Sequence, residues 1–111
     1  MTRHKTEELE LAFDTHCKQC GLPVGEKTHI PVGDSWFEID RWYDEWGVGV
    51  ELNEELFHKQ WAAQARDAKK RNYCVLHGIP LLTFTGTQLT NDPAGCIDTL
   101  RKALVQGGWE T

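Results

Sequence analysis

A chain of 111 residues with 40% apolar and 26% charged side chains has the makeup of one ordinary globular domain, long enough to bury roughly two thirds of its unfolded surface without disulfide staples. It shows no apolar run long enough to span a bilayer, no signal peptide and no repeat, which points to a cytoplasmic protein with one domain over residues 1–111 and no membrane partner. The net charge of −5 excludes a protein held on nucleic acid by bulk positive charge, so local clusters matter: Arg66 with Lys69-Lys70-Arg71, and the smaller pair Arg101-Lys102.

The first helix opens with Thr6 as N-cap and Glu7 and Glu8 in its first turn. It repeats apolar residues at Leu9, Ala12, Phe13, Cys17 and Cys20, and Gly21 ends it. On this helix Glu8 and Glu10 read as a solvated face. Cys17 and Cys20 have the spacing of half a zinc site, but Cys74 and Cys96 supply no second pair, so the cysteines read as reduced helical residues. Lys27 to Val32 is a short strand whose Pro31 suits a sheet edge.

A hairpin follows. Side chains two apart share a strand face, which sets Phe37 and Ile39 against Glu38 and Asp40 in the first arm. In the second arm the same rule sets Trp46, Val48, Val50 and Leu52 against Gly47, Gly49, Glu51 and Asn53. Asp44-Glu45-Trp46-Gly47 between the arms suits a type I turn or a three-residue loop with a glycine bulge. Such a hairpin brings Asp40 opposite Glu51, with Cβ atoms about 4.5–5.5 Å apart. Two carboxylates that close repel unless they share a proton or a hard divalent cation, and the cation is the reading adopted. Gly47 and Gly49 would keep the face around them open. Trp36, Trp42 and Trp46 are available to stack on bases or a sugar, although burial in the core or at a homodimer contact is more ordinary.

From about Glu55 to Leu76 the period becomes helical, with Trp61, Ala65, Ala68, Asn72 and Val75 as the apolar stripe and Gln60, Gln64, Asp67 and Arg71 along a polar one. Lys70 and Arg71 can pair with Asp67 or bind phosphate. Gly78 stops the helix. Ile79 to Thr85 is a nearly continuous apolar run, read as a buried strand. Asp92-Pro93 opens a last helix carrying Ile97, Leu100 and Leu104, ended by Gly107-Gly108, and 109–111 read as a loose tail. The class is α/β: a mixed sheet flanked by helices, with a helical crossover to the final strand.

The order αβββαβα resembles the PD-(D/E)xK nuclease superfamily, most of all the small bacterial and phage endonucleases related to very-short-patch repair endonucleases. The likeness rests on Gly21-Leu22-Pro23, the aromatic strand from Trp36 to Asp40, Val50-Glu51, Asp67-Ala68-Lys69-Lys70-Arg71-Asn72 and Gly78 to Phe84. It implies a restriction-endonuclease-like αβββαβ core with an added C-terminal helix. It also implies a Mg²⁺-dependent DNA endonuclease in which Mn²⁺ can substitute. Asp40 and Glu51 would hold the metal with the Leu52 carbonyl, and an acid of the first helix reaches the metal in some relatives. Asn53 would stand where the motif has lysine, and His58 is a candidate acid or base. Lys70 is the candidate replacement for the missing lysine, with Arg66, Lys69, Lys70 and Arg71 facing DNA. Asn53 supplies neither proton nor charge, which keeps a second reading in view: an inactive nuclease-fold module that binds DNA or protein.

Overall fold

The computed structural model describes residues 2–53 and 61–110. The elements in chain order are α1 (Thr2–Gln19), β1 (Glu26–Val32), β2 (Ser35–Tyr43), β3 (Val48–Asn53), α2 (Trp61–Leu76), β4 (Leu81–Thr85), α3 (Gly86–Asn91) and α4 (Pro93–Gln106). The four strands form one mixed sheet in sequence order. β1, β2 and β3 are antiparallel neighbours, and β4 lies parallel to β3. A parallel pair requires a crossover, and α2 lies within it. The result is the α/β class expected, with Pro31 in edge strand β1 where its missing N–H breaks no central ladder.

One face of the sheet carries the main core. Val48, Val50 and Leu52 of β3 and Phe84 of β4 meet Leu9, Phe13 and Cys17 of α1, Leu89 of α3, and Ile97, Leu100 and Leu104 of α4. Phe13 and Phe84 lie with ring centroids 6.0 Å apart. α2 covers the other face, where Tyr73 packs edge-on against Phe37 at 5.8 Å.

Strict alternation along β2 fails at one place. Thr28 pairs with Ile39 but Glu26 with Trp42, so β2 spends one residue more than β1 over Ile39–Trp42. That extra residue is a β-bulge, which re-aims the side chains beside it. Ile39 therefore shares the α2 face with Gly49 and Leu81, whereas Tyr43 joins the core on the α1 face. Gly49 does not leave that face open, because a Cβ there would sit 3.0 Å from Leu81 Cδ1 and 3.3 Å from Ile39 Cγ2.

Other expectations need correction. The loop from Tyr43 to Val48 has four residues: the Tyr43 carbonyl accepts from the N–H groups of Trp46 and Gly47, and Gly47 takes φ +66°. α1 begins at Thr2, four residues before Thr6. α2 is rotated from the expected phase: Ala65, Ala68, Asn72 and Val75 face solvent, and Asp67, Lys70, Tyr73 and Cys74 turn toward the sheet. β4 is an edge strand in which Phe84 alone is fully buried, and the short α3 was not expected. Its start is legible in Thr85-Gly86-Thr87-Gln88, whose ends exchange capping-box hydrogen bonds.

Trp109 is no loose tail. Its N–H bonds the Leu104 carbonyl at 2.9 Å, Gly108 N–H bonds that of Val105 at 3.0 Å, and Gly108 takes φ +107°. This Schellman closure folds Trp109 back against the core. The same pair of hydrogen bonds ends α1 at Gly21-Leu22 and α2 at Gly78-Ile79.

Candidate active site

The antiparallel ladder between β2 and β3 ends at Arg41 paired with Val50, and just beyond it Asp40 and Glu51 lie near enough for the Asp40 charge to act on Glu51. The two acids expected opposite each other are thus neighbours past the last ladder pair, not register partners within it. The Leu52 N–H of β3 donates to Asp40 Oδ2 at 2.7 Å. From α2, the Lys70 ammonium reaches the same place. It donates to Glu51 Oε1 at 2.6 Å and to the Glu38 carbonyl at 2.8 Å. The side chains of Lys70 and Glu51 are 14% and 12% exposed, so this pair is shielded from solvent.

Burial pushes the Asp40 carboxyl above the ordinary range, opposed by the Leu52 N–H and reinforced by the charge of Glu10. Glu51 is likewise raised by burial, with the Lys70 hydrogen bond pulling the other way. Both acids are therefore poorly solvated, and among the described residues Glu51 makes a direct ion pair there.

Sequence reasoning missed a second layer. Glu10 is not on a solvated face: it is 8% exposed, whereas Glu8 is exposed as expected. Glu10 Oε1 lies 3.3 Å from Arg41 Nη1, and Oε2 forms an ion pair with Lys27 at 3.0 Å without a well-directed hydrogen bond. Arg41 in turn clamps Asp14 in a fork at 2.9 and 2.8 Å and donates to the Asp40 carbonyl. The carboxylates beside them hold Lys27 and Arg41 above their ordinary pKa values, Glu10 acting on the first and chiefly Asp14 on the second. The sequence did carry a signal. Arg41 stands two residues before the inward Tyr43, a position that demands acidic partners, and Glu10 and Asp14 are four apart on one helix face.

The remaining site residues scatter. Asn53 ends β3, alternating onto the same face as Glu51, and pairs in the ladder with Thr85. Arg71 is exposed and donates to Thr83 Oγ1 at 2.7 Å. Arg66 and Lys69 are exposed on α2. His58 lies outside the described residues. Trp42 is half-buried with Nε1 on Asp44, Trp46 packs against the core, and Trp36 remains 57% exposed, so burial does not account for it. Cys17 is buried, its thiol pushed up to about 11 by desolvation, and Cys20 is exposed, so the two diverge from a common metal.

Among the described residues, no group of three or more His, Cys, Asp or Glu side chains is gathered to hold a metal ion. Asp40 and Glu51 make two hard-oxygen donors in a desolvated position, and Mg²⁺ commonly takes one or two carboxylates and keeps its waters. The donor set fits such an ion. No protein-family model, curated protein or solved structure matches the chain. The reading of the site therefore rests on its own geometry and chemistry. No helix among the described residues is long and apolar enough to cross a membrane.

Proposed function

We propose that the chain is a divalent-metal-dependent endonuclease acting on DNA, with Asp40 and Glu51 as metal ligands. One observation carries the reading: two poorly solvated carboxylates neighbour each other just past the end of a hairpin ladder, with a lysine ammonium delivered onto one of them from another element. Desolvating two acids side by side costs stability, and sites that tolerate such a cost are commonly functional.

Each residue has a task. Asp40 is fixed through Oδ2 by the Leu52 N–H, and Oδ1 is the oxygen that would ligate the ion. Glu51 is oriented by Lys70, whose ammonium supplies the positive charge that Asn53 lacks and stands ready for charge building on a phosphoryl group. Glu10 adds negative potential from behind, itself held by Arg41 and Lys27. Mg²⁺, when bound, would polarise the phosphoryl oxygen and lower the pKa of an attacking water.

Calorimetric titration of Mn²⁺ into wild type and Asp40→Asn tests the ligands, with binding expected only in the wild type. Cleavage of supercoiled, linear, mismatched and branched DNA tests the reaction. Lys70→Ala should lower the rate by about 10²-fold or more while Mn²⁺ still binds, and Asn53→Ala should do less. Because Lys70 is the partner of a buried carboxylate, its loss should also destabilise the fold. Equal Mn²⁺ affinity in Asp40→Asn would remove the metal assignment. DNA affinity without cleavage in the wild type would assign the chain to the alternative, a nuclease-fold binding module.

A further inference from the structure

Beside the carboxylate pair, the start of β2 and the outward turn of α2 enclose a cleft of about 400 Å³ lined by Ser35, Trp36, Phe37, Glu38, Arg66, Asp67 and Lys70. Its volume is that of a small-ligand site. The two places share a wall, because Lys70 Nζ bonds both the Glu38 carbonyl of the cleft and the Glu51 carboxylate of the site. A group resting in the cleft is thus next to whatever occupies Asp40 and Glu51.

The lining selects among the parts of a nucleotide. Glu38 and Asp67 stand on the walls with Arg66 and Lys70, so the lining carries no net charge, and the Lys70 ammonium is directed toward Glu51 and the phosphoryl site beyond it, so a phosphate lodged in the cleft itself gains no net attraction. An aromatic base meets the opposite. Trp36 lies against His29 with ring centroids 4.3 Å apart, and His29 is in turn held by Glu38 at 3.2 Å. The indole is thereby backed on one side by the His29 ring yet keeps 57% of its surface exposed, which leaves it open for a base to stack on. Arg66 at the rim adds a planar cation that can lie on a base or pair with a flanking phosphate.

A base can stack on a side chain only after it leaves its neighbours in the duplex. The net charge of −5 reinforces the point, because a weakly cationic surface gains little from the phosphates of intact duplex and must draw affinity from base contacts. We infer that the cleft lined by Trp36 and Arg66 takes an unpaired nucleobase next to the phosphodiester at Asp40 and Glu51, so that the substrate is DNA carrying a single-stranded or unpaired nucleotide. The inference rests on the nuclease reading for the identity of its ligand.

The test measures binding without hydrolysis, by anisotropy of a fluorescein-labelled oligothymidylate and of a blunt duplex of equal length, in buffer with chelator. Wild type should bind the single strand about tenfold or more tightly than the duplex. Trp36→Ala should lose most of that preference, and Trp36→Phe, which keeps a stacking ring, should retain it. Equal affinity for both DNAs, no affinity for either, or an unchanged preference in Trp36→Ala would overturn the inference. Mn²⁺ titration of the same variants separates the two ideas. Metal binding by a wild type that ignores single strands leaves the nuclease reading standing without the cleft, and a Trp36-dependent preference in a protein that never binds Mn²⁺ leaves the cleft standing without the nuclease.

Discussion

Asp40 combines three demands in one side chain: it accepts the Leu52 N–H, it sits among other acids, and it is largely removed from water. Its pKa is raised, so the folded protein favours the neutral form more than the unfolded chain does. The stability this adds is complete below the ordinary carboxylate value of about 4 and is lost as pH rises through the raised value. At neutral pH the charge on Asp40 is therefore a liability, and Asp40→Asn removes it while its amide oxygen still accepts from Leu52. The variant should melt several degrees above wild type at neutral pH. The gap should close in acid, where both side chains are neutral, and also under saturating Mn²⁺, which stabilises only the form that binds it. Calorimetric melts across that pH range check this. An Asp40→Asn protein less stable than wild type at neutral pH, or a gap indifferent to pH, would show that Asp40 is a structural anion.

At the scale of elements, the hairpin and the nearness of its two acids were legible because strand faces have a fixed period and Asp44 to Gly47 can only be a tight connection. The bulge was not, since an extra residue in one strand is defined by its partner strand and leaves no compositional mark. The phase of α2 was misread for a related reason. Of its expected stripe, Trp61 has a side chain outside the described residues, and Ala65, Ala68, Asn72 and Val75 offer little apolar area to bury, whereas Lys70 has a specific partner in Glu51 and Cys74 a buried position. Local sequence rules fail most often where a site sets the orientation. The observed phase makes a sharp expectation. Ala68→Lys and Val75→Lys, at solvent-facing positions, should change unfolding free energy by no more than about 0.5 kcal/mol in urea melts. Cys74→Asp, at 2% exposure, should cost about 3 kcal/mol or more, because a charge would enter an unprepared site. The reverse ranking would mean that α2 is turned as its apolar stripe suggested, and Lys70 would then lose its route to Glu51.

Over the whole molecule, 17 acidic residues outweigh 12 basic ones, and the placement of the basic ones matters more than the count. Lys27, Arg41 and Lys70 are bound to internal carboxylates, and Lys102 pairs with Asp98. The cations of α2 that remain on the surface near the cleft are Arg66, Lys69 and Arg71, and Arg71 already donates to Thr83. These three, the cations among the described residues beside the cleft, can neutralise two or three phosphates. For single strands the logarithm of affinity falls with the logarithm of salt concentration by about 0.7 per phosphate contacted, so the slope should be near −2 or shallower. Binding of the oligothymidylate across a salt series measures it directly. Arg66→Ala should flatten the slope by about 0.7 and weaken binding most at low salt. Trp36→Ala should lower affinity by a similar factor at every salt concentration, since stacking releases no counterions. A slope steeper than about −4 would mean six or more phosphate contacts, and nucleic acid would then be held by a cationic surface that these three residues cannot provide.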